Sequence, residues 1–211
     1  MSPRRRTLTR DRVLRTALDL VDREGVDALT MRRLGRELGV EAMSLYGHVD
    51  SKDDLIDGVV EQVFRQMPLV APGPEPWEDR LRQYAAAYRK VLLDHPNTVQ
   101  LVSRRRQNSE GIVAFVVSAL RELTALGLDP VRAERVLRVI ANFTLGHVTE
   151  QVGDEARTRQ SALRAGLLPP PVDPAHDEAF ELGIDFIVAG IDRLLPAVSP
   201  ATPAPGTSPG R

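Results

Sequence analysis

Residues 30–52 read TMRRLGRELGVEAMSLYGHVDSK, and this stretch decides the fold. Thr30 is placed to cap a helix over 31–38. Leu34 and Leu38, four residues apart, give that helix an inward face. Gly39 ends it, because glycine takes the positive φ of a tight turn without a Cβ penalty. A short helix over about 41–47 follows. Ser51-Lys52-Asp53-Asp54 then opens a longer helix, over about 52–67, with a serine cap and an acid three residues on. Two short helices held at a fixed angle by Leu34, Leu38, Val40 and Leu45 have the layout of a helix-turn-helix. The outer side of the second helix would offer Glu41, Ala42, Met43, Ser44, Gly47 and His48 to a major groove.

Working outward, Thr9 caps a helix over 10–24 that Gly25 stops, and Leu14, Leu18 and Val21 form its apolar face. Residues 1–8 form a basic arm, read either as a solvated tail or as an arm reaching into a minor groove. MPLVAPGPEPW (67–77) holds four prolines and one glycine and breaks the helical pattern. Helices are expected over 77–94, 99–104, 109–126 and 130–154, the last opened by Asp129-Pro130 as cap and first-turn proline. Residues 157–173, with Gly166 and Pro169–Pro171, read as a loop. A further helix follows Asp173-Pro174 to about Leu195. The tail 196–211, rich in Pro, Ala, Ser and Gly, has too few apolar residues to pack. Every expected element is a helix. The organisation read from these signals is an arm (1–8), a three-helix helix-turn-helix domain (9–52), a connecting helix and hinge (53–76), a second helical domain (77–195), and a disordered tail.

Composition narrows the function classes. The chain has 211 residues, 42% hydrophobic and 27% charged, with aromatics at only 4% and no cysteine. Absence of cysteine excludes disulfides, thiolate metal sites and a cysteine nucleophile, and fits a reducing cytoplasm. No apolar run approaches the roughly 18 residues of a membrane span, so no membrane partner is expected. Net charge is −1, but residues 1–52 carry 11 Lys+Arg against 8 Asp+Glu, an excess of 11 − 8 = +3. No G-x-S-x-G, H-E-x-x-H or phosphate loop is present, and the four histidines are scattered, so no enzyme is expected.

The stretch LTMRRLGRELGVEAMSLYGHVDSKDDLI resembles the N-terminal domain of TetR-family transcriptional repressors. Their signature elements stand here as Thr30, Leu38-Gly39-Val40, Leu45-Tyr46-Gly47-His48-Val49 and Lys52. ANFTLGHVTEQ (141–151) and AFELGIDFIVAGIDRLL (179–195) resemble the ligand-and-dimer helix and the last helix of the tetracycline-repressor branch. The resemblance implies that Thr30 caps the first short helix and that Arg32 contacts a base. It also implies that Glu41, Ala42 and Met43 choose bases, while Ser44, Tyr46 and Lys52 meet phosphates. His48 is placed with this set as a brace of the domain. Gly47 stands where the branch has an aromatic residue, so operator preference should differ.

The resemblance also frames the ligand site. His147 and Glu150 lie three apart and share a helix side, but two ligands are too few to hold a metal. In the tetracycline branch the glutamate matching Glu150 helps hold a drug-bound magnesium. Its histidine partner comes from the helix matching 99–104, which reads VQLVSR here. Tyr84 stands at the branch's drug-binding asparagine and Tyr88 at its phenylalanine. Glu150 is therefore read as structural or as serving a different ligand, with metal–drug binding as the other reading. The expected ligand is mostly apolar, held among Phe64, Tyr84, Tyr88 and Phe143 and oriented by Asn142, His147 or Glu150. No metal and no cofactor are expected. Val136, Val139 and Ile140 on one helix, and Gly183, Ile187, Gly190, Ile191 and Leu194 on the last, are the expected homodimer face. The glycines would let a partner backbone approach.

The sequence thus points to an all-α, ligand-responsive repressor that binds a palindromic double-stranded operator as a homodimer and is released by a small-molecule effector. The alternatives are a helical small-molecule-binding module, or an activator-type regulator without a tetracycline response. The salt dependence of duplex binding separates them.

Overall fold

The structure, a computed structural model, describes residues 7–68, 73–105, 110–164 and 175–193. Among these there are helices and no strands. α1 spans Arg10–Glu24, α2 Met31–Leu38, α3 Ala42–Leu45, α4 Lys52–Phe64, α5 Trp77–Asp94, α6 Val99–Arg105, α7 Glu110–Ala125, α8 Pro130–Arg164 and α9 Ala175–Asp192. Short 3₁₀ turns at Val26–Ala28 and Pro96–Thr98 precede α2 and α6.

The starts follow from local chemistry. Thr9, Thr30 and Ser51 each accept a hydrogen bond from the backbone N–H three residues on, at 3.2, 3.2 and 3.0 Å. Asp129 Oδ1 accepts from the N–H groups of Val131 and Arg132, both at 3.1 Å. Gly39 takes the left-handed conformation, φ 69° and ψ 34°, and its turn is closed by the Val40 N–H donating to the Gly35 carbonyl at 2.9 Å.

Two expectations need correction. Residues 157–164 are helical, not loop, so α8 runs 35 residues, about 50 Å at 1.5 Å per residue. Asp154–Arg164 lacks an apolar stripe but is rich in helix formers, and nothing stops it before Gly166. α3 is shorter than expected, a single turn of four residues. The tail, the end of the 157–173 stretch and arm residues 1–6 lie outside the described residues. Leu8, read as part of the arm, packs against the core.

The core does not break at the expected domain boundary. One apolar cluster runs from Val13, Leu14 and Leu18 of α1 through Leu34, Leu45 and the α4 residues Leu55, Val59 and Val63. It continues into Phe64, Tyr84, Tyr88, Val102 and Val148. A second cluster joins α5, α7, α8 and α9 through Leu81, Ala85, Leu123, Ile140, Phe180, Ile184 and Val188. Within the first cluster, helix α4 is the wall between α1 and helices α5, α6 and α7. It lies so close to α1 that a Cβ on Gly58 would meet Leu14 Cδ2 at 2.3 Å.

Polar contacts also cross this boundary. His95 Nδ1 is hydrogen-bonded to Asp22 Oδ2 at 2.8 Å. Asn97 Nδ2 donates to the carbonyls of Val21 and Asp22, at 3.2 and 2.9 Å. The turn before α6 therefore docks on the last turn of α1, where Asn97 adds a second donor to the Val21 carbonyl, which the Gly25 N–H already reaches at 2.8 Å. Arg105 of α6 pairs with Asp53 at 2.6 Å and Asp57 at 3.0 Å on α4.

Candidate nucleic-acid interface and ligand cavity

α3 is anchored by one residue. Leu45 is fully buried, while Met43 is 76% and Tyr46 46% exposed. Neither side chain is covered by the described residues of the chain. Glu41, Ser44 and Gly47 are also exposed and Ala42 is half-buried. Thr30, Arg32 and Lys52 are exposed on the flanking helices, and His48 is half-buried. A Cβ on Gly47 would meet only the Ser44 carbonyl, at 3.6 Å, so the space of the missing aromatic is open. A Cβ on Gly35 would lie 2.8 Å from the Val40 carbonyl oxygen. Glycine there lets the α2 backbone approach the start of α3.

The base of this surface is braced by ion pairs. Arg33 bridges Glu24 and Glu37, each at 2.5 Å, and Arg23 also reaches Glu37 at 2.5 Å. Arg33 and then Arg23 hold the Glu37 carboxyl below its ordinary range. Arg10 donates to the His48 carbonyl and pairs with Asp54, fixing the turn between α3 and α4.

The ligand-site residues expected from sequence divide into groups. Tyr84 and Tyr88 line a small apolar cavity of about 40 Å³ between α5, α7 and α8, together with Leu81, Ile112, Phe115, Leu137 and Ile140. Tyr84 meets Phe115 edge-to-face, ring centroids 5.1 Å apart, and the Tyr84 and Ser118 hydroxyls share a hydrogen bond at 3.0 Å. Phe64 stands outside the lining, stacked on Tyr88 at 6.0 Å. Phe143 and His147 turn the other way, onto α9. Phe143 stacks on Phe180 at 5.8 Å, and the His147 ring lies 5.5 Å from Phe180. Burial lowers the His147 pKa, opposed by its hydrogen bond with the His176 carbonyl at 2.8 Å. Asn142 and Glu150 are exposed on α8. The structure thus does not bring these four α8 residues to the cavity. The α7 wall (Ile112, Phe115, Val116 and Ala119) was missed, although its i, i+3, i+4, i+7 spacing marks one face. Periodicity identified a buried stripe but not what it faces. Among the described residues no group of three His, Cys, Asp or Glu could hold a metal.

The expected dimer residues also divide. Val136, Ile140 and Ile191 are buried in the chain's own second core. Gly183 requires a correction: a Cβ there would meet Phe143 Cζ at 2.1 Å, so its space is filled by the ring of the same chain. Gly190 has nothing within 4 Å of a Cβ. It lies on an open groove with Val139, Phe186 and Ile187, lined also by Val136 and Ile191 and by Arg132 and Arg135. Leu182 (55%) and Phe186 (69%) are exposed on α9, and Val139 (54%) on α8. Leu194 lies outside the described residues.

Comparison with known proteins places this geometry in a family. The N-terminal model for bacterial regulatory proteins of the tetR family matches residues 13–59. The tetracyclin repressor-like C-terminal domain matches residues 69–195. An HTH-type transcriptional regulator of Saccharopolyspora erythraea is 32% identical over 200 residues, spanning 87% of this chain and 84% of the relative. Tetracycline repressor protein class D of Escherichia coli is 30% identical, spanning 90% and 92%. The Streptomyces coelicolor protein ActR in complex with actinorhodin superposes with a TM-score of 0.76 at 26% identity, over 94% of this chain and all (100%) of that one. A TetR variant from Acinetobacter baumannii AYE in complex with minocycline gives 0.74 at 28%, over 89% and 98%.

Proposed function

The chain belongs to the TetR family of bacterial transcriptional regulators, and on that premise we propose that it is a ligand-released repressor binding a palindromic operator as a homodimer. The observation that carries the DNA reading is the exposed α3, where Met43, Ser44 and Tyr46 stand outward on a turn held by buried Leu45 and the Arg10–Asp54 pair. Ala42 and Met43 would discriminate bases. Tyr46, Ser44 and Lys52 would hold phosphates, which position without specifying.

A homodimer is supported by the exposed Val139, Leu182 and Phe186 around Gly190. Contiguous apolar side chains of this size mark a face that another surface covers, and a twofold copy would bury them symmetrically. The effector site is the cavity of Tyr84, Tyr88 and Phe115. Its lining carries no charged residue, which favours an uncharged, largely apolar ligand over a metal-bound one. Ligand filling it would press on α7 and α8. The shared core and the Arg105 pairs with Asp53 and Asp57 connect this region to α4 and hence to the spacing of the two recognition helices. Release is then a population shift, driven by the ligand's preference for the non-binding geometry.

The test is a duplex selected by the protein from a random-sequence pool. Binding should fall steeply with salt and protect two half-sites. Salt-insensitive binding, or protection of a single half-site by a monomer, would overturn the reading.

A further inference from the structure

The ion pairs of the helix-turn-helix half single out the cations left for DNA. Within residues 7–68, Arg10 is engaged by Asp54, Arg15 by Asp11, Arg23 and Arg33 by Glu24 and Glu37, and Arg65 by Glu61. Arg12 has a partner as well. Arg32, Arg36 and Lys52 remain. Each is exposed, and among the described residues none has a side-chain hydrogen bond or ion pair. Arg32 and Lys52 already stand in the proposed interface. Arg36 does not, and neither motif nor resemblance marked it.

Its surroundings give it a role. Arg36 lies four residues after Arg32, on the same side of α2. With Gly35, Gly39, Val40, Glu41 and Ser44 it lines an open concavity of about 410 Å³ where α2 meets α3. The close approach at Gly35 fixes the distance from α2 to the start of α3, so Arg36 is carried on a rigid element beside the recognition helix. Glu41 shares that concavity, and an unopposed carboxylate there would repel a polyanion. We propose that Arg36 is a third cationic DNA contact, its guanidinium holding the phosphate beside the N-terminal end of α3 and offsetting Glu41. The assignment rests on the DNA-binding reading above. A guanidinium suits phosphate because its fork can donate two parallel hydrogen bonds to two phosphate oxygens. Phosphate rather than base is indicated because α3 itself, through Ala42 and Met43, is placed to fill the groove.

The test measures affinity by fluorescence anisotropy against salt, on the duplex selected by wild type and on a random-sequence duplex. Arg36→Ala should weaken binding to both alike. It should also lower the slope of log K against log salt by about one unit. Arg36→Lys should keep the slope, since it keeps the charge. Arg65→Ala, whose guanidinium is paired with Glu61 at 3.0 Å, should bind as wild type. An unchanged melting temperature for Arg36→Ala confirms that the fold is intact. If Arg36→Ala keeps the wild-type slope while Lys52→Ala loses a unit, Arg36 is a solvated surface residue and the proposal falls, with the DNA reading intact. A changed preference between the two duplexes would make it a base contact and overturn the phosphate assignment. Wild type that binds no duplex in a salt-dependent way overturns the DNA reading and this assignment together.

Discussion

Arg10 and Asp54, 44 positions apart, join through two hydrogen bonds, Nη1 to Oδ2 at 2.8 Å and Nη2 to Oδ1 at 2.5 Å. The same Asp54 oxygen Oδ2 accepts from the Asp50 N–H at 2.8 Å, and Arg10 Nη1 also donates to the His48 carbonyl at 2.8 Å. The first turn of α1 thereby fixes the turn that joins α3 to α4. Arg10 first, and then the Asp50 N–H, hold the Asp54 carboxyl below its ordinary range against the opposing effect of burial.

Asp54→Asn should therefore lower stability by about 1–2 kcal/mol at pH 7, because it removes the charge from a bidentate pair and from a helix N-terminus. The sign with pH follows from the lowered pKa. The stabilising contribution is complete above the unfolded value near 4 and is lost as pH falls through the folded one. Urea titrations at pH 7 and at pH 3 should show a smaller difference from wild type at pH 3 than at pH 7. An equal difference at both would mean that Asp54 acts by shape alone.

Tyr46→Ala and Lys52→Ala should weaken binding to every duplex, whereas substitutions at Ala42 or Met43 should change which duplex is preferred, by about 1–3 kcal/mol per altered base pair. Tyr46→Ala with unaltered operator affinity near physiological salt would move the recognition helix elsewhere.

Gly190→Trp should produce a folded monomer that no longer binds a palindrome. The chain itself leaves that Cβ direction open, so the added ring obstructs only a partner. Phe186→Glu should do the same by placing a charge in an apolar face. Sedimentation velocity decides: a monomeric wild type removes the dimer, and a dimeric Gly190→Trp moves it to another surface.

Tetracycline with magnesium should fail to release the protein from operator at micromolar concentration, and binding of any effector should be insensitive to EDTA. A hard cation favours several oxygen donors, and the cavity lining offers none that is charged. Calorimetry showing tight, magnesium-dependent tetracycline binding would overturn this account of the cavity and leave the regulator assignment standing.

His147 sets a dependence of the same sense as Asp54, in a higher pH window. Burial lowers its pKa, so the unfolded chain takes up the proton first. Its stabilising effect is complete above about pH 6.5 and declines as pH falls below that value. Wild type should lose more melting temperature between pH 7 and 5.5 than His147→Gln does. Parallel losses would show that the ring titrates alike in both states.

The sequence by itself determined the elements whose causes are local. Thr9, Thr30, Ser51 and Asp129 cap within three residues of themselves, and Gly39 carries its turn in its own φ, so α1, α2, α4 and the start of α8 were legible from neighbours alone. The helix-turn-helix face was legible too, because one buried residue, Leu45, sets which sides of a single turn point outward. Which surface each apolar stripe meets depends instead on how the helices pack. Phe143 and Ile140 lie on the same helix, yet Ile140 lines the cavity and Phe143 fills the space over Gly183. Periodicity repeats a face every 3.6 residues but carries no information about the partner helix. The availability of Arg36 was hidden for the same reason. Spacing offers Arg33 the i,i+4 partner Glu37, but only the tertiary structure brings Glu24 to it and leaves Arg36 without a carboxylate among the described residues.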